Sequence, residues 1–456
     1  MWEILEKANG IVWGAPALIA IIGVGLFLCV RTGFVQITLL PQALKRFWGM
    51  ILRPTRETDG VSSMQALCTA LAATVGTGNL VGVAGAICLG GPGAVFWMWI
   101  GGFLGMGTKF CEAVLAVRYR EKRGGEYIGG PMYIISKGMG RKWSVLATLY
   151  AALGVIAAFG VGNATQINSV IAGVNNVISG YGIPESKKIN FVMGFALAIL
   201  TGVLLMGGGK RIGQAAEKLV PFASAAYLIL CVIALIIGWE RIPAAFSSII
   251  LGAFDPKAVS GGVLGSAFLS LRVGCARGVF TNEAGLGTAS IAHAGAQVSH
   301  PGEQGLLGII EVFLDTIVIC TMTALVILTS GVGIPFGIDA GGNLTTEAFT
   351  AFFGEWVSVF IAGALCCFAI ATVIGWGLYG GRCAQYLFGD GCWKWFVLAQ
   401  SVMVVIGAVM DTGAVWLAAE TVNGLMGIPN LIALAALSPE ISRLTREYRR
   451  NIDKLG

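Results

Sequence analysis

The residues best suited to chemistry in this chain sit in two apolar stretches interrupted by glycine. One reads Ala72-Ala-Thr-Val-Gly-Thr-Gly-Asn-Leu-Val-Gly82 and the other Arg277-Gly-Val-Phe-Thr-Asn-Glu-Ala-Gly-Leu-Gly-Thr288. Polar side chains (Thr77, Asn79, Thr281, Asn282 and Glu283) accompany the glycines. Breaking a helix in hydrocarbon frees backbone N–H and C=O groups, each costly unless paired. A half-helix N-terminus then offers N–H donors and partial positive charge to a carboxylate. The carbonyls freed at a half-helix C-terminus suit a hard cation such as Na⁺. Glycine lets the backbone approach a ligand closely. The chemistry indicated is recognition of a carboxylate and a cation, with no covalent step. Close helix packing is the other use of small residues. It suits Gly101, Gly102, Gly105 and Gly107 but fits the interrupted stretches less well, because polar residues accompany their glycines. GTGNLVG is not a dinucleotide fingerprint: its glycines are spaced G-x-G-x-x-x-G in an apolar run with no strand before it.

Charges inside apolar runs are functional candidates by default. Glu283, at a helix break, is placed to cap freed amides or to tune cation binding. Arg272, Arg277, Asp315 and Asp411 could form gate pairs that break as access alternates, or pair structurally; Glu283 or Asp315 would be the relay of a proton-driven variant. Lys109 and Glu112, three residues apart, are expected to pair on one helix. His293 and His300 are too few and too peripheral for a transition-metal site. The eleven cysteines, Cys29, Cys68, Cys88 and Cys320 among them, read as small buried hydrophobes. No H-E-x-x-H, G-x-S-x-G or GxxxxGK[ST] pattern occurs, so an enzyme or an ATP-driven pump is unsupported. A channel lacks its rings of pore charge. No cofactor is expected beyond Na⁺ as coupling ion, and no nucleic-acid or obligate protein partner is indicated.

Membrane helices must position these residues. The 456 residues include 67 glycines, are 56% hydrophobic and only 12% charged, and have a mean hydropathy of +0.80. Counted with glycine and without tyrosine, about 69% is apolar, against about 45–50% in soluble proteins. This is a polytopic all-α membrane protein. Windows of about 20 apolar residues give eleven spans: 14–30, 64–89, 94–117, 144–178, 190–206, 219–238, 259–296, 305–330, 356–381, 396–411 and 413–437. Windows 144–178 and 259–296 are too long for one straight span and must tilt, break or overrun the bilayer. With the N-terminus outside, the inner loops hold 22 Lys and Arg and the outer loops five, which predicts N-out and C-in by the positive-inside rule. Residues 1–63 form an extra N-terminal helix and a cytoplasmic connection. Blocks 64–258 and 259–437 hold five spans each, so the second is inserted upside down, the usual plan of secondary transporters. Residues 438–456 form a basic cytoplasmic tail attracted to anionic lipid.

At ALCTALAATVGTGNLVGVAGAI (66–87), GEYIGGPMYII (125–135) and GVFTNEAGLGTASIAHA (278–294) the sequence resembles the alanine or glycine:cation symporter family. The likeness runs over nearly the whole chain. It implies the five-plus-five inverted repeat of the leucine-transporter type (APC superfamily) and sodium-coupled uptake of small neutral amino acids across the plasma (inner) membrane. Carried onto this sequence, Thr77 and Gly78 are the carboxylate-binding end of the first broken helix, and Gln166 is a polar contact to the substrate. Phe280 and Asn282 line the site from the other broken helix, and Thr372 and Trp376 face it from a third. A large ring at Trp376 leaves room only for a short side chain. By analogy with the wider fold, the Val75 carbonyl and the Thr372 hydroxyl lie near the ion, with Asn79 a further candidate.

Overall fold

The computed structural model describes residues 2–53, 60–180, 182–255, 266–338, 341–410 and 413–455. Among the described residues the chain is almost wholly helical. One antiparallel hairpin, β1 (Glu121–Arg123) with β2 (Glu126–Ile128), and an isolated bridge between Val61 and Ala296 are the exceptions. Helix α1 (Trp2–Val12) leads into α2 (Ala15–Thr32), and α3 (Leu40–Leu52) follows. The first interrupted stretch separates α4 (Ser63–Thr74) from α5 (Val83–Gly90), and the long α6 (Gly93–Tyr119) comes next. Beyond the hairpin lie α7 (Ser144–Phe159), α8 (Thr165–Gly180), α9 (Lys187–Leu205), α10 (Gly208–Ile237) and α11 (Ile242–Phe254). The second interrupted stretch separates α12 (Ala267–Asn282) from α13 (Ala289–Ala294). A π-helical segment, Phe313–Cys320, joins α14 (Pro301–Val312) to α15 (Thr321–Ser330). The chain closes with α16 (Gly341–Phe353), α17 (Val357–Phe388), α18 (Trp393–Val409), α19 (Gly413–Ala436) and α20 (Ser438–Leu455).

Among the described residues, nine helices are long and apolar enough to cross a membrane, and α4 with α5, bent by 50°, makes a tenth. Each falls on an expected window. The remaining window, 259–296, is broken into α12 and α13, each too short alone, and part of it lies outside the described residues. Window 144–178 is one helical unit, Arg141–Gly180, interrupted by a π-helical turn at Gly160–Ala164. The windows 190–206 and 219–238 leave residues 207–218 as a connection. Instead residues 208–218 continue α10 down to Gly208, because Lys210, Arg211, Glu217 and Lys218 depress hydropathy without breaking the helix.

The layering is inside out compared with a soluble protein. Phe191, Phe195, Ile199, Phe222 and Ile236 of α9 and α10 face outward, where only lipid can cover them. In α6, by contrast, 78% of the apolar window is buried in protein. Small residues set the approaches of the core helices. A Cβ on Gly308 would meet the Lys109 carbonyl oxygen at 2.7 Å, and one on Gly375 would meet Ala73 nitrogen at 3.0 Å. The second contact seats α17 on the end of α4. Of the four packing glycines read from the sequence, Gly102, Gly105 and Gly107 abut Thr316, Ala284 and Cys29, whereas Gly101 faces open space. The basic tail is a docked helix: Ile441, Leu444 and Tyr448 of α20 are buried, and Arg449 donates to the Thr32 and Gly33 carbonyls.

Candidate functional site: two helix breaks around one cavity

Helix α4 starts on a capping box, Ser62 with Gln65, and its ladder ends with the bond from Val75 N–H to the Leu71 carbonyl, 2.7 Å. The carbonyls of residues 72–75 are therefore the unpaired C-terminal set of that helix. Val75 is extended, and the chain resumes helical geometry at Thr77 through a π-helical turn, Gly78–Gly82. Asn79 stitches the break: its Oδ1 accepts the Gly76 N–H at 2.9 Å and its Nδ2 donates to the Asp315 carboxylate at 2.7 Å.

The second break has the same device. Helix α12 ends at Asn282, and Glu283, Gly285 and Gly287 all adopt left-handed backbone (φ 54°, 92° and 83°) before α13 resumes. Asn282 Oδ1 accepts the Ala284 N–H at 3.0 Å, and its Nδ2 donates to Thr316 Oγ1 at 3.1 Å. Thr316 in turn donates to Asp315 at 2.7 Å. One π-helical segment thus anchors both breaks through an asparagine on each.

The partners of the buried charges differ from those their spacing suggests. The freed amides of Gly285 and Gly287 donate to Glu112 Oε1 at 3.0 and 3.1 Å, so the capping carboxylate is Glu112 of α6 and not Glu283. Asn430 of α19 completes the clamp, donating to Glu112 at 2.7 Å and to the Gly285 carbonyl at 2.9 Å. Lys109 does not pair with Glu112; its ammonium lies 2.8 Å from Glu311. Glu311 also contacts His293 Nε2 at 3.0 Å, and Gln304 bonds His293 Nδ1 at 2.8 Å. All four of these side chains are buried, so His293 is interior and not peripheral. Asp315 is held by Asn79 and Thr316 and not by an arginine. Arg277 lies partly buried on α12, Arg272 is exposed, and Asp411 lies outside the described residues.

Between the breaks is a cavity lined by Ala73, Thr74, Gly76, Thr77, Gly78, Val161, Gln166, Phe280, Thr281, Glu283, Thr372 and Trp376. It is narrow enough that about one or two waters would fill it. Thr77 donates to Gln166 Oε1 at 3.0 Å, and Gln166 Nε2 donates to the Val161 carbonyl at 3.1 Å, in the π-helical turn between α7 and α8. Thr372 Oγ1 donates to the Phe368 carbonyl at 3.0 Å and lies 2.6 Å from where a Cβ on Gly76 would stand. The breaks touch directly: a Cβ on Gly78 would meet Thr281 Cγ2 at 2.9 Å.

Thr77, Gly78, Gln166, Phe280, Thr372 and Trp376 thus come together on one wall-to-wall surface. Val75 lies just behind it, and Asn79 and Asn282 turn their side chains away to the π-helical segment. Glu283 is the single charged residue of the lining. Hydroxyls, a carboxamide, peptide groups and one carboxylate can bind and release a small polar solute; no nucleophile–base pair is among them. Among the described residues no His, Cys, Asp and Glu group could hold a transition metal. Glu112, Asn430 and Thr316 were not identified from sequence as partners of the breaks, because their contacts join residues far apart in the chain.

The profile described as the sodium:alanine symporter family matches residues 1–455. The chain is 42% identical over 457 residues to the sodium/alanine symporter AgcS of Methanococcus maripaludis, covering 98% of each chain. It is also 42% identical over 451 residues to a protein of Haemophilus influenzae described as an uncharacterized transporter, covering 98% of this chain and 96% of that one. Among solved structures, MhsT in complex with L-phenylalanine shares the fold, with a TM-score of 0.57 at 14% identity over 86% of this chain and 99% of that one. The family and these relatives are transporters and not enzymes, and the family and its named members support cation-coupled amino-acid symport. The chain belongs to the sodium:alanine symporter family.

Proposed function

We propose that this protein carries small neutral amino acids such as alanine or glycine into the cell, each with Na⁺, by alternating access. The observation that carries this reading is the cavity at the meeting of the two helix breaks, ringed by Thr77, Gly78, Gln166, Phe280, Thr372 and Trp376. The substrate carboxylate meets the N–H groups of Thr77 and Gly78, at the start of the resumed helix where no intrahelical partner exists. The Thr77 hydroxyl and Gln166 hold the polar end, and Phe280 and Trp376 enclose the side chain. Na⁺ lies by the carbonyl of Val75 and the hydroxyl of Thr372, where α4 leaves its last carbonyls. Asn79 acts indirectly, by holding Gly76.

The architecture that goes with this reading is eleven spans, the seventh being α12 and α13, arranged as two inverted five-helix repeats after α2. The matching asparagine stitches at Asn79 and Asn282 support such a relation. The excess of basic loop residues on one side supports an N-out, C-in orientation in the plasma membrane. One ion suffices energetically: a tenfold gradient gives ~1.4 kcal/mol and 100 mV gives ~2.3 kcal/mol. Together these sustain accumulation of a few hundredfold.

The test is uptake of labelled alanine into proteoliposomes with and without an inward Na⁺ gradient. Uptake that rises with the gradient supports the reading. Uptake indifferent to Na⁺ but driven by a pH gradient would replace the coupling ion with a proton.

A further inference from the structure

We infer that Glu283 is a positioning residue for substrate size selection: its carboxylate holds the Trp376 indole against Gly162 and so fixes the wall that limits which side chains the cavity admits. The inference rests on the functional reading above and adds to it the element that sets the substrate class. Trp376 Nε1 donates to Glu283 Oε1 at 2.9 Å, and Thr288 donates to Glu283 Oε2 at 2.5 Å. Both carboxylate oxygens are therefore engaged, one by the ring and one by the far side of the helix break. The indole is 1% exposed. Its other faces are also gripped: Tyr379 meets it edge-on at 5.7 Å, and a Cβ on Gly162 would fall well inside van der Waals distance of Trp376 Cβ and Cγ. A side chain at 162 would force the ring out of this seat.

The backbone of Glu283 points the same way. Among the described residues only Phe34 and Glu283 are non-glycine residues at positive φ. Glycine takes that conformation without strain, as at 285 and 287, and a bulky residue there implies that its side chain is needed. The use its side chain has is the pair of bonds to Trp376 and Thr288. A ring free to swing would leave a larger and softer pocket. A ring fixed by hydrogen bond and packing rejects branched and long side chains, because the closely packed seat cannot give way.

The experiment measures how well glycine, valine and leucine compete with labelled alanine for uptake into proteoliposomes. Wild-type protein and the variants Glu283→Ala, Glu283→Gln and Trp376→Phe are compared. The wild type is expected to yield to glycine and to ignore leucine. Glu283→Ala should improve competition by leucine, relative to alanine, by about tenfold or more, the scale at which an apolar pocket discriminates size. Glu283→Gln keeps an oxygen for the indole N–H and should restore the wild-type ranking. Trp376→Phe keeps a ring but loses the N–H and should relax the ranking as Glu283→Ala does; it carries the test if Glu283→Ala does not fold. A purely structural role would lower uptake of all substrates alike. An unchanged ranking in Glu283→Ala or Trp376→Phe, or a relaxed ranking in Glu283→Gln, overturns the inference. Wild-type protein that takes up no alanine overturns the functional reading itself, and this inference with it.

Discussion

The two helix breaks look alike in sequence, yet they distribute their backbone groups differently. At the second break every amide from Ala284 to Gly287 is occupied, by Asn282, Glu112, the Glu283 carbonyl and Glu112 again. The Leu286 carbonyl accepts from the Tyr150 hydroxyl at 3.0 Å and the Gly285 carbonyl from Asn430. At the first break Asn79 holds Gly76, while Thr77 and Gly78 open a helix at the cavity wall. The second break is closed by protein. The first leaves its helix start facing the space where a solute can lie. An interrupted helix is thus either scaffold or site, according to who supplies the missing partners.

Substitutions can break this contrast, beginning with the largest effect. Glu112→Leu strips two buried amides of their acceptor at the second break. It should cost about 2–6 kcal/mol of stability at about 1–3 per orphaned group, read as a lower unfolding temperature of the detergent-solubilised protein. Survival of wild-type stability would mean the second break is not a scaffold. Thr77→Val should do the opposite. The shape is kept and stability should fall by only about 1 kcal/mol, as Gln166 Oε1 loses one donor, while alanine affinity falls about tenfold or more through loss of a hydrogen bond near a charged group. Isothermal binding or uptake KM reads this, and unchanged affinity would remove Thr77 from the site. The smallest effect belongs to Tyr150→Phe, which leaves the Leu286 carbonyl unpaired for about 1 kcal/mol of stability. Alanine affinity should stay as it is in Tyr150→Phe; a change there would tie the second break to the ligand after all.

Much of this was readable in the sequence, for physical reasons that also mark its limit. Glycines beside polar residues in apolar runs disclose a helix break, since no continuous membrane helix needs them, and the breaks lie at the positions so read. The convergence of Gln166, Thr372 and Trp376 on them came from resemblance; single polar residues in a helix do not say which neighbour they face. Glu112 was visible as an intramembrane carboxylate, but the spacing from Lys109 offered a local partner. The amides that claim it lie more than 170 residues away. His293 meets the same limit: Glu311 and Gln304, which bond its two ring nitrogens, belong to another helix, α14. Register within one helix is legible from its own residues, whereas the partners of a buried charge are a property of the packed bundle.

The most direct measurement is a structure with L-alanine and Na⁺ bound. The account predicts the substrate carboxylate at the N–H groups of Thr77 and Gly78, its methyl group toward Trp376, and the amides of 284, 285 and 287 still held by Asn282 and Glu112. A carboxylate seated on the amides of residues 284–287, or density outside the space between the two breaks, would contradict it.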